Sequence, residues 1–256
     1  MSNICQLNRT LTFVLVKIRN NPLLTTSVNH PTMSNIFNSS IGKKLMMALA
    51  GLFLSVFLLV HLGINLTLIL FEDPRIFNIA AHFMGTNILI KIFEIVLFGG
   101  IFLHIIYGLI VQLSNWMARG KRYKVYNNAQ TSFFSKFMIH TALIILVFIV
   151  IHLFDFYIKA KFMHGYVEEV VYNGKHYHDL GTMVLEKFTI LWVDVFYILC
   201  FLFLGFHLWH GFQSAFQTLG INHSVYSPWI KALGILYTMI VVAGFSIIPL
   251  YVYFIR

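Results

Sequence analysis

Five apolar runs, each longer than the ~20 residues a helix needs to cross a bilayer, constrain this chain more than any other feature. They lie at about 45–71, 87–117, 134–158, 189–217 and 229–254. In hydrocarbon each backbone N–H and C=O must be paired within the segment, so each run is expected as a helix. The rest of the composition agrees. Charged residues make up 11% of the chain, about half the usual fraction of a soluble domain, and 59% of residues are hydrophobic. The expected fold is all-α: a polytopic membrane protein whose five transmembrane helices form one bundle over residues 33–256.

Residues 1–32 fit poorly with the rest. Their apolar patch, Leu11 to Ile18, is too short to span and is flanked by Arg9, Lys17 and Arg19. Met33 opens MSNIFNSSIGKK, a natural start just before the first span, so 1–32 are read as an N-terminal extension outside the natural protein. A signal or targeting segment and an amphipathic arm are the alternatives. The two cysteines, Cys5 and Cys200, build no disulfide framework, and no CxxCH motif for covalent haem attachment exists.

Basic residues set the orientation. Lys43 and Lys44 precede the first span, and Arg119, Lys121, Arg122, Lys124 and Lys136 crowd the connection between spans two and three. The positive-inside rule puts the N-terminus and that connection in the cytoplasm and the C-terminus outside. The implied location is a bacterial-type cytoplasmic membrane. The outer 159–188 connection carries Asn173-Gly174 between two short β-like runs, a type I′ hairpin signal, followed by a short helix over 179–188.

Four of these spans each hold a histidine deep in apolar sequence: His61 in VHLGIN, His104 in FLHIIYG, His152 in VIHLFDF and His207 in GFHLWHG. Ionisable residues inside a membrane are costly and usually functional. At 1.5 Å rise per residue, His61 and His152 both lie roughly 22–24 Å from the inner ends of their spans. His104 and His207, on spans running the other way, approach the inner face after roughly 20–28 Å of descent. Matched depths pair His61 with His152 near the outer face and His104 with His207 near the inner one. Two imidazoles at one depth on facing helices are the axial ligands of a b-type haem, so two stacked haems are expected. The competing reading is a set of polar residues hydrogen-bonded inside a bundle. His140 and His210 are rivals for the inner ligand, although His140 stands about 120° around its helix from His152.

The motifs GLFLSVFLLVHLGIN, FNIAAHFM, HIIYG, VIHLFDF and HLWHGFQSAFQTLGI, in this order and spread over the spans, resemble the dihaem cytochrome b membrane subunit of succinate:quinone oxidoreductases, the single-anchor, five-helix type. The resemblance covers about Ile36 to Arg256. It implies that His61, His104, His152 and His207 hold two haems b, and that quinone, commonly menaquinone in this type, is the membrane substrate. It also implies a flavoprotein subunit and an iron–sulfur subunit docked on the cytoplasmic face. The chain has no flavin fingerprint and no iron–sulfur cysteine set, so dicarboxylate chemistry belongs to those partners and no catalytic activity is expected from the isolated chain. Some relatives carry a glutamate two residues before the fourth histidine, implicated in moving protons across the membrane. Here Gly205 stands in that place.

Glu94 is the sharpest further candidate. It lies roughly 15 Å outward of His104 on the same span, and a buried carboxylate there reads either as a proton donor or acceptor for quinone or as an ion pair with Lys91. His82 is a second quinone-site candidate. Asn65 is read as a helix–helix hydrogen bond, and Asp194 as interfacial. The alternative functions are a cytochrome b serving another quinone-linked dehydrogenase, or a non-redox transporter that uses its histidines for protons or metals. Inverted repeats and broken helices, the marks of many transporters, are not evident in the sequence.

Overall fold

A computed structural model describes residues 39–118, 133–163 and 165–256. The readings placed on 1–32, and on Arg119, Lys121, Arg122 and Lys124, lie outside them. Helix α1 (Ser40–Leu70) is followed by a short α2 (Arg75–Thr86), a long α3 (Ile88–Ala118) and α4 (Phe133–His152). α4 runs on into a π-helical turn, Leu153–Ile158, and a last α-turn, α5 (Lys159–Phe162). Strands β1 (Glu169–Tyr172) and β2 (Lys175–His178), helix α6 (Leu180–Lys187), and the long α7 (Leu191–Thr218) and α8 (Tyr226–Ile255) complete the chain.

Five of these helices are long and apolar enough to cross a membrane, the third by running through the π turn as far as Phe162. The chain is therefore a polytopic all-α protein. α7 sits in the middle, packed against α8, α4 and α1, and α1 also packs on α3 and α8. α1–α4 and α3–α7 are not closely packed pairs among the described residues.

Glycines set several of the close approaches between spans. A Cβ at Gly205 would lie 2.7 Å from Val242 Cγ2, and one at Gly244 2.7 Å from Leu62. Small residues let helix backbones close up where lipid offers no hydrophobic drive to association. Most of the exposed large apolar side chains, such as Ile95, Phe102 and Trp229, lie on spans whose outer surface meets lipid.

The connection after the third span is built as a hairpin and a helix. β1 and β2 pair antiparallel, Tyr172 opposite Lys175, around Asn173 (φ 50°) and Gly174 (φ 74°). Both left-handed values match a type I′ turn. Asp179 caps α6 by accepting from Thr182 N–H at 3.2 Å. Asn78 of α2, 1% exposed, ties the pieces together. Its amide nitrogen donates to Asp179 (2.8 Å) and Tyr172 (3.2 Å), and its oxygen accepts from Gly181 N–H (2.7 Å). A side chain at Gly181 would collide with Pro74, 2.6 Å from the added Cβ. Beyond the bundle, the Arg256 guanidinium donates to the carbonyl of Leu68 at 3.1 Å, one of the last turn of α1.

Candidate functional site

The four intramembrane histidines meet in two pairs. His61 of α1 faces His152 of α4, ring centres 5.8 Å apart and planes at 84°. His104 of α3 faces His207 of α7, ring centres 6.2 Å apart and planes at 74°. Each pair bridges two helices that do not pack closely, so the imidazoles reach toward each other across the bundle. The two levels lie roughly 15 Å apart along α1, from Gly51, beside His104, to His61.

The ring environments differ. His104 Nδ1 lies 3.2 Å from the Met47 carbonyl, and a Cβ at Gly51 would come within 3.1 Å of the His104 ring, so a bare backbone on α1 makes room for it. With Nδ1 donating to that carbonyl, Nε2 is the free lone pair, the arrangement that outer partners impose on ligating histidines. His61 stacks on Phe57, with the Asn65 amide 3.5 Å from its Nδ1. His152 is enclosed by Phe148, Phe156 and Tyr197. His152 Nδ1 and His207 Nδ1 are buried without any hydrogen-bond partner.

These features decide what kind of group could sit here. Protein zinc sites use three or four protein ligands. Among the described residues no three His, Cys, Asp or Glu side chains gather to hold an ion in that way. Two imidazoles suit an iron whose other four positions come from a macrocycle. An imidazole nitrogen lies about 2 Å from a first-row metal and about 1 Å from its own ring centre, so two rings on one iron have centres about 6 Å apart. The observed 5.8 and 6.2 Å agree with that spacing. Each pair could therefore hold one such iron.

The remaining candidates fall in different places. His140 is exposed and leans on Phe137 of its own helix, 5.8 Å between ring centres. His210 is half-buried one turn beyond His207. Neither has a ring contact with His104 among the described residues. Asn65 donates to the His61 carbonyl at 2.8 Å, a bond within α1 that replaces the expected bond between helices. Its short side chain reaches the carbonyl one turn back more readily than a neighbouring helix.

Glu94 does pair, but not with Lys91. Lys161 of α5 and the Tyr157 hydroxyl both donate to its carboxylate, and Lys161 Nζ lies 2.8 Å from Tyr157 Oη. Tyr157 lies in the π turn and Lys161 just after it, and both face α3. π-helical turns inside α-helices often occur at functional sites. The local sequence, LFDFYI, carries no signal of it. His82, by contrast, lies exposed on α2 against Tyr177 of β2, 4.9 Å between ring centres.

Two groups had no role in the sequence reading. Asp194, expected at the interface, is 3% exposed with both carboxylate oxygens lacking a partner. Asp155, within the π turn, is bridged by Lys187 at 3.0 Å and Lys159 at 3.5 Å. Gly205 is buried where α7 meets α8, and Val242 fills the space a side chain would need. Packing thus gives that glycine a reason of its own. Comparison with protein-family models, curated proteins and solved structures finds no match to this chain.

Proposed function

We propose that this chain is the dihaem cytochrome b membrane anchor of a succinate dehydrogenase or fumarate reductase complex, carrying electrons between an iron–sulfur subunit and membrane quinone. The observation that carries the reading is the pairing of four intramembrane histidines at two levels, each pair spaced for one iron. A haem held between two histidines supplies a one-electron iron couple shielded from other ligands. His61 with His152 would hold the outer one, and His104 with His207 the inner.

What the chain itself contributes is position and insulation. The Met47 carbonyl orients the His104 ring, and the aromatic rings of Phe148, Phe156 and Tyr197 keep water from His152. Near the outer level, Glu94 has a proton route to the surface in Tyr157 and the half-exposed Lys161. Quinone reduction consumes protons as well as electrons, so this network suits a site for quinone, menaquinone in the reading adopted, with His82 as a more distant candidate. The flavoprotein and iron–sulfur subunits would dock at the inner, cytoplasmic end, near the 119–132 connection.

The test is a dithionite-reduced minus oxidised spectrum of the purified protein, together with mass spectrometry of what co-purifies. Low-spin b-type bands, with a flavoprotein and an iron–sulfur protein alongside, are the expected result. Absence of the bands would remove the redox reading. A different dehydrogenase among the partners would move the chain to another quinone-linked complex.

A further inference from the structure

We propose that the cleft where α4 and α6 meet the start of α7 binds the phosphate of an anionic phospholipid in the outer leaflet. The cavity has a volume of about 140 Å3. Ile151, Trp192 and Phe196 form apolar wall, Tyr197 part of the floor, and Asp155 and Lys187 an ionic corner. Its depth is fixed by sequence position: Trp192 is the second residue of α7, at the end of the bundle remote from Lys43 and Lys44. Trp192 is 69% exposed, as an aromatic at the headgroup level is. Ile151 and Trp192, both exposed, place the cleft at the surface of the bundle, within reach of a lipid.

Charge selects the occupant. Asp155 is shared by Lys187 and Lys159, so two cations face one anion. The three side chains are only 12–23% exposed. Lys159 is further held over the rings of Phe154 and Tyr166. One positive charge is therefore left over in a partly desolvated corner, where it costs energy unless an anion joins it. Tyr197 is buried in the floor with its hydroxyl beside Asp155. A phosphodiester with acyl chains matches this anion corner and apolar wall together. A zwitterionic headgroup brings its own cation into a site that already has a surplus one.

The readout is lipid retention and not haem content, so failure here and failure of the haem reading are distinguishable. The full chain, purified in mild detergent and stripped of lipid, is titrated with phosphatidylglycerol or phosphatidylcholine and read by native mass spectrometry. Phosphatidylglycerol should be retained in preference. Lys187→Gln removes only the surplus charge, leaving the Lys159–Asp155 pair. It should weaken phosphatidylglycerol binding about fivefold, the contribution of one basic residue at an anionic surface. Lys187→Arg should restore binding, Trp192→Ala should weaken it without any change in charge, and Lys175→Gln in the hairpin should have no effect. If Lys187→Gln fails to fold, the Arg and Trp192 variants decide the matter. Equal retention of both lipids, or indifference to Lys187→Gln and Trp192→Ala, would overturn the proposal. So would displacement by millimolar inorganic phosphate, which marks a free-anion site, or by a quinone analogue, which marks a quinone site.

Discussion

Removing one histidine tests the paired arrangement through the pattern of what is lost. In His104→Ala the imidazole that faces His207 across 6.2 Å disappears, and His207 keeps a buried ring whose Nδ1 already lacks a partner. The inner haem should go, and haem content should fall from two per chain to one. The outer pair lies roughly 15 Å away by helical rise. That is beyond the ~7–10 Å within which substitutions usually couple, so its haem should remain with an unchanged spectrum. His207→Ala should give the same spectrum as His104→Ala, and the double variant should lose nothing more. His61→Ala combined with His104→Ala should retain no haem. Pyridine haemochrome content per chain and reduced-minus-oxidised spectra read all of these. Spectrally different losses from His104→Ala and His207→Ala would refute the pairing, as would a single haem per chain in the unmodified protein.

Three further outcomes are expected. Glu94→Gln should keep both haems and dye-linked succinate oxidation by the assembled complex while losing most quinone-linked turnover. Near-normal turnover would reduce the Glu94–Tyr157–Lys161 network to a structural tie. Asn78→Ala removes three hydrogen bonds to Tyr172, Asp179 and Gly181 and should cost the outer cap about 2–4 kcal/mol. Hydrogen exchange should show this as faster exchange in β1, β2 and the start of α6, with the spans unaffected. Gly205→Glu forces a side chain against Val242 and should destabilise the α7–α8 contact by at least the ~1–3 kcal/mol of an overpacked core, lowering the thermal midpoint. An unchanged midpoint would mean that the position has room for a carboxylate.

The sequence by itself determined the class of the protein and its membrane segments, because an apolar run of spanning length has one way to satisfy its backbone in lipid. It also contained the hairpin, since Asn-Gly suits the left-handed turn that Asn173 and Gly174 adopt, and the facing of the two histidine pairs, since depth along a straight helix is simple arithmetic. Tertiary structure decided the rest. The π turn after His152 has no sequence mark, and at it or just beyond it Tyr157 and Lys161 meet Glu94, and Asp155 meets Lys187. Residues sixty or more apart in sequence cannot be paired by local pattern, so the intrahelical Lys91 looked the natural partner for Glu94. Burial of Asp194 and the tight seat of Gly205 likewise depend on which helices meet. Periodicity reports a residue's place on its own helix, and only packing supplies the neighbour.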